Sequence, residues 1–119
     1  MQQVEKICLC DYSLSLKLKE LGFNTKCLCI HEPWGKKWRT IPRQKAKLIG
    51  EYIEAPLLTT AHNFLYKKSG INVIVRDDDV NGFYWVLSKN GDFIQSSERY
   101  KDWNDALEKG LLCIIDNYI

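Results

Sequence analysis

From Trp103 onward the apolar positions run Trp103, Ala106, Leu107, Leu111, Ile114 and Tyr118, one stripe at helical spacing. The stripe predicts a closing amphipathic helix. Asp102 precedes it as N-cap, and Asp105 at the third helical position suits the positive end of the helix dipole. Gly110 falls inside the stripe, costs about 1 kcal/mol relative to alanine, and suits a close approach to a sheet. Upstream, Ile71 to Arg76 is the run richest in β-branched residues and predicts a strand. Asp77 to Gly82 predicts a turn and Phe83 to Lys89 a second strand. Asn90 and Gly91 form a two-residue hairpin signal, and Phe93 to Glu98 gives a third strand. Before these, a helix is predicted from about Leu58 to Ser69, buried through Leu58, Ala61, Leu65 and Phe64. Ala55 and Pro56 stand at its entrance, and Gly70 ends it.

The first half is patterned more weakly. Residues 5–10 alternate and predict a short strand. Ser13 reads as an N-cap, with Leu14, Leu18 and Leu21 on one helical face and Gly22 as a left-handed stop on which Phe23 packs back. Lys26 to Glu32 predicts a strand with Leu28 and Ile30 on one face and Cys27, Cys29 and His31 on the other. After a break at Pro33, Trp34 and Gly35, the stretch from Trp38 to Ile41 predicts a paired strand. Residues 42–50 give no clear element. These elements define an α+β fold, a small antiparallel sheet packed by helices, with a C-terminal half ordered helix-strand-strand-strand-helix. They form a single domain over 1–119, with a basic N-terminal part at 1–54 and an αβββα core unit at 55–119.

Fourteen aromatic residues and 45% hydrophobic content among 119 residues suffice for a folded core. The net charge of +2 is divided unevenly: residues 1–54 carry ten Lys/Arg against six Asp/Glu, and residues 55–119 carry seven against nine. Attraction to an anionic partner therefore belongs to the first half. The start lacks a basic region followed by an apolar stretch, and no apolar run is long enough to span a bilayer. A cytoplasmic location is expected, with no membrane partner and with reduced cysteines.

Three short blocks resemble a known group. Leu18 to Asn24 reads Leu-Lys-Glu-Leu-Gly-Phe-Asn and is followed by Cys27. Ala55 and Pro56 are followed by Phe64-Leu65 and Gly70-Ile71. Trp103 to Glu108 reads Trp-Asn-Asp-Ala-Leu-Glu. Together they resemble the small uncharacterised proteins of Bacteroides-type phages and prophages, with Leu57 standing where that group has a threonine cap. The resemblance implies a phage-related, cytoplasmic context and carries over no catalytic residue. The order helix, three strands, helix is also similar to that of double-stranded-RNA-binding domains. Those grip phosphate with lysines at the start of their last helix, where this chain has Asp102 and Asp105 after Lys101, so the similarity implies topology without that function.

The segment 34–47 holds the strongest candidate chemistry. Lys36, Lys37, Arg39, Arg43, Lys45 and Lys47 fall within twelve residues, no acid occurs from Pro33 to Gly50, and Trp34 and Trp38 are interleaved. Ammonium and guanidinium groups neutralise phosphates, and exposed indoles stack on bases. The plainer reading is a solvated loop anchored by its tryptophans. Cys8, Cys10, Cys27 and Cys29, with His31, make a four-thiol pattern that invites zinc. However, C-x-C in a strand spreads its thiols by about 6–7 Å, which is poor for chelation, and no metal or cofactor is expected. Asp77 to Gly82 matches the first half of a calcium loop, but its twelfth position is Ser88 where a glutamate is needed. The only histidines are His31 and His62, no glycine-rich phosphate loop is present, and no catalytic residue is assigned. The expected function is a non-enzymatic phage- or prophage-related accessory or protein-interaction module with a protein partner. The alternative is a nucleic-acid-binding accessory protein using Trp34, Lys36, Lys37, Trp38, Arg39, Arg43, Lys45 and Lys47.

Overall fold

The computed structural model describes residues 9–119, so Cys8 and most of the strand expected at 5–10 lie outside the described residues. The chain forms two compact units that divide between Leu57 and Leu58. Helices and antiparallel strands occur in both, giving an α+β fold with two three-stranded sheets among the described residues.

The first helix among the described residues of the first unit is α1, Tyr12–Glu20. Its N-cap is Asp11 rather than Ser13: the Asp11 carboxylate accepts the Leu14 N–H at 2.9 Å. A carboxylate both satisfies an orphan N–H and meets the positive end of the dipole, which a hydroxyl cannot do. The helix ends as expected. Gly22 takes φ +100°, its N–H donates to the Lys19 carbonyl at 3.0 Å, and the Phe23 N–H donates to Leu18 at 2.9 Å, a Schellman stop. Leu14, Leu18 and Phe23 are buried.

Strands β1 (Cys29–Trp34), β2 (Lys37–Pro42) and β3 (Ile53–Ala55) form an antiparallel sheet in the order β2-β1-β3. Strand β1 starts three residues later than the sequence pattern predicts, because the Cys27 N–H is taken by the Glu54 carboxylate at 2.8 Å. Leu28 is accordingly 88% exposed instead of sharing the buried face of Ile30. A 3-10 turn at Arg43–Lys45 follows β2, and residues 46–52 form neither helix nor strand. Ala55, Pro56 and Leu57, which the sequence assigns to the following helix unit, instead pair here. Ala55 lies opposite Cys29, the Cys10 N–H donates to the Pro56 carbonyl at 2.8 Å, and Leu9 bridges Leu57.

The second unit runs α2 (Leu58–Ser69), β4 (Asn72–Asp77), β5 (Phe83–Lys89), β6 (Asp92–Gln95) and α3 (Trp103–Tyr118), with the sheet antiparallel in the order β4-β5-β6. Helix α2 and strand β5 have the bounds the pattern predicts. Asn90 and Gly91 both take positive φ, 52° and 88°, as a two-residue turn with right-handed strand twist demands. Strand β6 stops short of Glu98 because the chain leaves the ladder after Ser96 and returns to pair Tyr100 with Phe83. Helix α3 packs on β4 and β5, and α2 packs on α3. Ala106, Leu107, Gly110, Leu111 and Ile114 are buried, whereas Trp103 and Tyr118, the two ends of the stripe, are nearly half exposed. Asp102 caps the helix by accepting the Asp105 N–H at 2.8 Å. Among the described residues no helix is long and apolar enough to cross a membrane.

At Gly110 the helix lies close against the sheet. A Cβ there would lie 2.8 Å from Val73 Cγ1 and 3.1 Å from Trp85 Cβ. The gain in helix propensity, about 1 kcal/mol, is smaller than the strain of forcing a methyl into that contact, about 1–3 kcal/mol. Gly110→Ala should therefore lower the unfolding free energy of this unit in urea, and adding Val73→Ala should recover part of the loss. A more stable single variant would refute the close packing.

Candidate functional site

The hairpin β1–β2 brings the basic, tryptophan-bearing segment into one structure. Its register pairs Trp34 with Lys37, Pro33 with Trp38, Glu32 with Arg39 and His31 with Thr40. Alternation then places Glu32, Trp34, Lys37 and Arg39 on one face and His31, Trp38 and Thr40 on the other. Helix α1 covers the second face. Tyr12 stacks on Trp38 with centroids 4.4 Å apart and planes at 23°, and Ser15 meets His31. Trp38 is thus an anchor, as the plainer reading of the sequence held, while Trp34 remains 61% exposed.

The two arginines are committed within the protein. The Arg39 guanidinium donates to Glu32 Oε2 from Nε at 2.8 Å and lies 3.7 Å above the Trp34 ring. Arg43 donates from Nε to the Cys27 carbonyl at 2.9 Å and from Nη2 to the Glu54 carboxylate, which holds its pKa above the ordinary arginine value. Lys36, Lys37, Lys45 and Lys47 are exposed and make no ion pair among the described residues. They stand as two pairs. One pair is at the Gly35 turn where β2 begins, and the other lies in and just after the 3-10 turn where β2 ends. Of the eight residues nominated from sequence, the hairpin therefore leaves Trp34 and four ammonium groups available to a partner.

Of the four-thiol pattern, Cys10, Cys27 and Cys29 lie within the described residues and Cys8 does not. Among the described residues no group of three or more His, Cys, Asp or Glu side chains is placed to hold a metal ion. Cys10 is buried, and burial together with the neighbouring Glu54 pushes the Cys27 thiol up to about 11. His31 is 2% exposed and both of its ring nitrogens are engaged. Nε2–H donates toward the Cys10 carbonyl at 3.0 Å and lies 2.9 Å from Ser15 Oγ, and Nδ1 accepts from Thr40 Oγ1 at 2.8 Å. The Cys10 carbonyl can only accept, so Nε2 carries a proton, and burial of the ring favours the neutral form in which Nδ1 accepts. Burial lowers the His31 pKa below its ordinary value, against the smaller opposing effects of the Cys10 carbonyl and Asp11.

The calcium-like turn is closed by its own bonds. Asp77 Oδ1 accepts the Asp79 N–H at 2.8 Å, and Asp78 Oδ2 accepts from Arg99 Nε at 2.5 Å, which holds the Asp78 carboxyl below the usual range. His62 ties α2 to the outer side of β4. Its Nε2 accepts the Val73 N–H at 3.2 Å and lies 2.9 Å from the Asn72 carboxamide. Beside it runs an open polar cleft of about 530 Å³ lined by Thr59, Asn63, Tyr66, Lys89 and Asn90. A second cleft of about 690 Å³ in the first unit carries charges of both signs, Lys19, Glu51 and Glu54, with Glu54 already bound to Arg43. Ser15 also lines the second cleft, but it is only 1% exposed, and the His31 Nε2 beside it is turned to the Cys10 carbonyl.

Sequence reading missed Tyr12, Glu32, Thr40 and Glu54. Glu32 carried a signal, since a turn at Gly35 and Lys36 fixes it opposite Arg39. Glu54 carried none, because the path of residues 46–52 between it and Arg43 follows no periodicity. No family model, curated protein or solved structure matches the chain.

The His31 site makes a pH prediction. The unfolded imidazole takes up a proton near its ordinary value of about 6.5, while the native site resists protonation. The stabilising contribution is thus complete above that value and is lost as pH falls through it toward the lower native pKa. Urea midpoints should decline as pH drops from about 7.5 to 5.5. His31→Gln, less stable by about 1–3 kcal/mol, should show a flatter decline. An identical slope in the variant would contradict the assignment.

Proposed function

We propose that this chain is a non-enzymatic accessory module of the phage or prophage kind that its sequence blocks resemble, working in the cytoplasm by binding another protein through the β1–β2 hairpin. The observation that carries the reading is the Trp34–Arg39–Glu32 assembly. An exposed indole lies 3.7 Å under a guanidinium that is itself pinned to a carboxylate across the strand pair. Tryptophan and arginine are the residues on which binding energy concentrates in protein interfaces. Holding them in place beforehand reduces the entropy lost on association. The histidines support a non-enzymatic role: His31 is closed off by three hydrogen-bonding neighbours and His62 is used at a strand edge.

A second reading is favoured by one observation, the four exposed lysines that make no ion pair among the described residues. If they meet phosphates, the chain is a nucleic-acid-binding accessory protein. Its affinity would then fall with salt at a log–log slope of about −3 to −4 for four contacts.

The two readings separate experimentally. On the first, the tagged chain captures a defined protein from a lysate of Bacteroides-type cells, and Trp34→Ala weakens that capture by about thirtyfold, near 2 kcal/mol. Trp34 is largely exposed, so the variant keeps its fold and its circular dichroism. On the second, fluorescent single- or double-stranded DNA binds at low salt and Lys36→Ala/Lys37→Ala flattens the salt slope. Capture indifferent to Trp34, with steep salt-dependent DNA binding, would overturn the first reading in favour of the second.

A further inference from the structure

We infer that the partner docks as an acidic extended segment that adds a strand to the free edge of β2. This rests on the hairpin reading above and names the chemistry of the partner. Strand β2 is an edge of its sheet, six residues long, and no backbone group of Lys37–Pro42 is hydrogen-bonded outward among the described residues. An open edge is a template for another strand, with main-chain bonds giving affinity and alternate side chains giving selectivity.

Charge identifies the occupant. Lys36 and Lys37 stand at the start of this edge, and Lys45 and Lys47 follow its far end, in and after the turn in which Arg43 reaches back to Cys27, Leu28 and Glu54; all four are exposed. The strand between them spans about 20 Å, which a six-residue extended segment covers. Glu32 and Glu54 are occupied by Arg39 and Arg43, so among the described residues the edge lysines make no ion pair. A second copy of the chain would bring lysine against lysine along the new ladder, where like charges repel. An acidic strand would set its carboxylates on the face that Lys37 and Trp34 share, and a short uncharged side chain beside Thr40 on the face that α1 covers. The expected motif therefore alternates acidic and small β-branched residues.

The probe is a blocked hexapeptide of alternating glutamate and threonine, added to the full-length chain at low salt. Its glutamine and lysine analogues, an alternately N-methylated glutamate–threonine peptide and oligo-dT serve as comparisons. The acidic peptide should slow amide hydrogen exchange in residues 37–42. Its affinity should fall about tenfold in Lys36→Ala/Lys37→Ala, consistent with the loss of two charge pairs. The glutamine and lysine analogues should not bind. N-methylation keeps the charge and removes the donors, so it should abolish both binding and protection. Equal binding of the N-methylated peptide would replace strand addition with unspecific attraction and overturn the inference. Binding of oligo-dT without the acidic peptide would overturn it in favour of nucleic acid. Failure of the acidic peptide while Trp34-dependent protein capture persists would sink the strand mode and leave the hairpin reading standing.

Discussion

The first unit depends on the burial of His31. A polar ring at 2% exposure is tolerable only when each nitrogen is satisfied. Its partners come from three places: the Cys10 carbonyl before α1, Ser15 on α1, and Thr40 on β2. The ring therefore sets where α1 lies on the sheet and which face of the hairpin it covers. With Ile30 buried on the opposite side, the middle of β1 is enclosed on both faces, unlike its exposed end at Trp34. The hairpin thus projects from a fixed base, and its tip is free to present side chains.

That base divides the positive charge into two chemical roles. Arginine offers a planar fork that matches a carboxylate, and both arginines of the segment are used in that way, Arg39 on Glu32 and Arg43 on Glu54 and the Cys27 carbonyl. Lysine is a compact, strongly hydrated charge that remains in water at little cost. The four lysines stay out at the ends of β2. A sequence count of six cations in twelve residues overstates the available charge, because two of the six stabilise the unit that carries the other four.

What was legible in the chain followed local periodicity and local turn chemistry. Helix α2, strand β5, the Asn90–Gly91 turn, the Gly22 stop, the Asp102 cap and the core positions of α3 all depend on residues within a few places of one another. Most of the failures arose where a distant side chain intervened. Strand β1 begins late because Glu54, twenty-seven residues on, holds the Cys27 N–H. Ser13 lost the cap to a carboxylate two places earlier. His31 read as a companion of the cysteines because its strand face was evident, while Ser15 and Thr40, which occupy it, are ordinary residues until the helix and hairpin come together. The basic segment was visible as composition, but the pairing that selects among its residues was not.

Edge placement adds the last constraint on where an acidic strand can bind. The second unit also has two sheet edges, but both are ill suited to such a ligand. Its outer strand β4 gives the Val73 N–H to His62 and ends at Asp77, within the cluster of Asp77, Asp78 and Asp79. Its other outer strand, β6, is only four residues long and begins with Asp92. An acidic segment would meet like charge at either edge, whereas β2 offers a six-residue strand that begins at Lys36 and Lys37. Lysines and a terminal proline on an edge strand ordinarily discourage self-association. On β2 they do so while remaining attractive to carboxylates, so the same residues that keep copies of the chain apart can admit a partner of opposite charge. Selectivity then comes from repulsion at the wrong edges as much as from attraction at the right one.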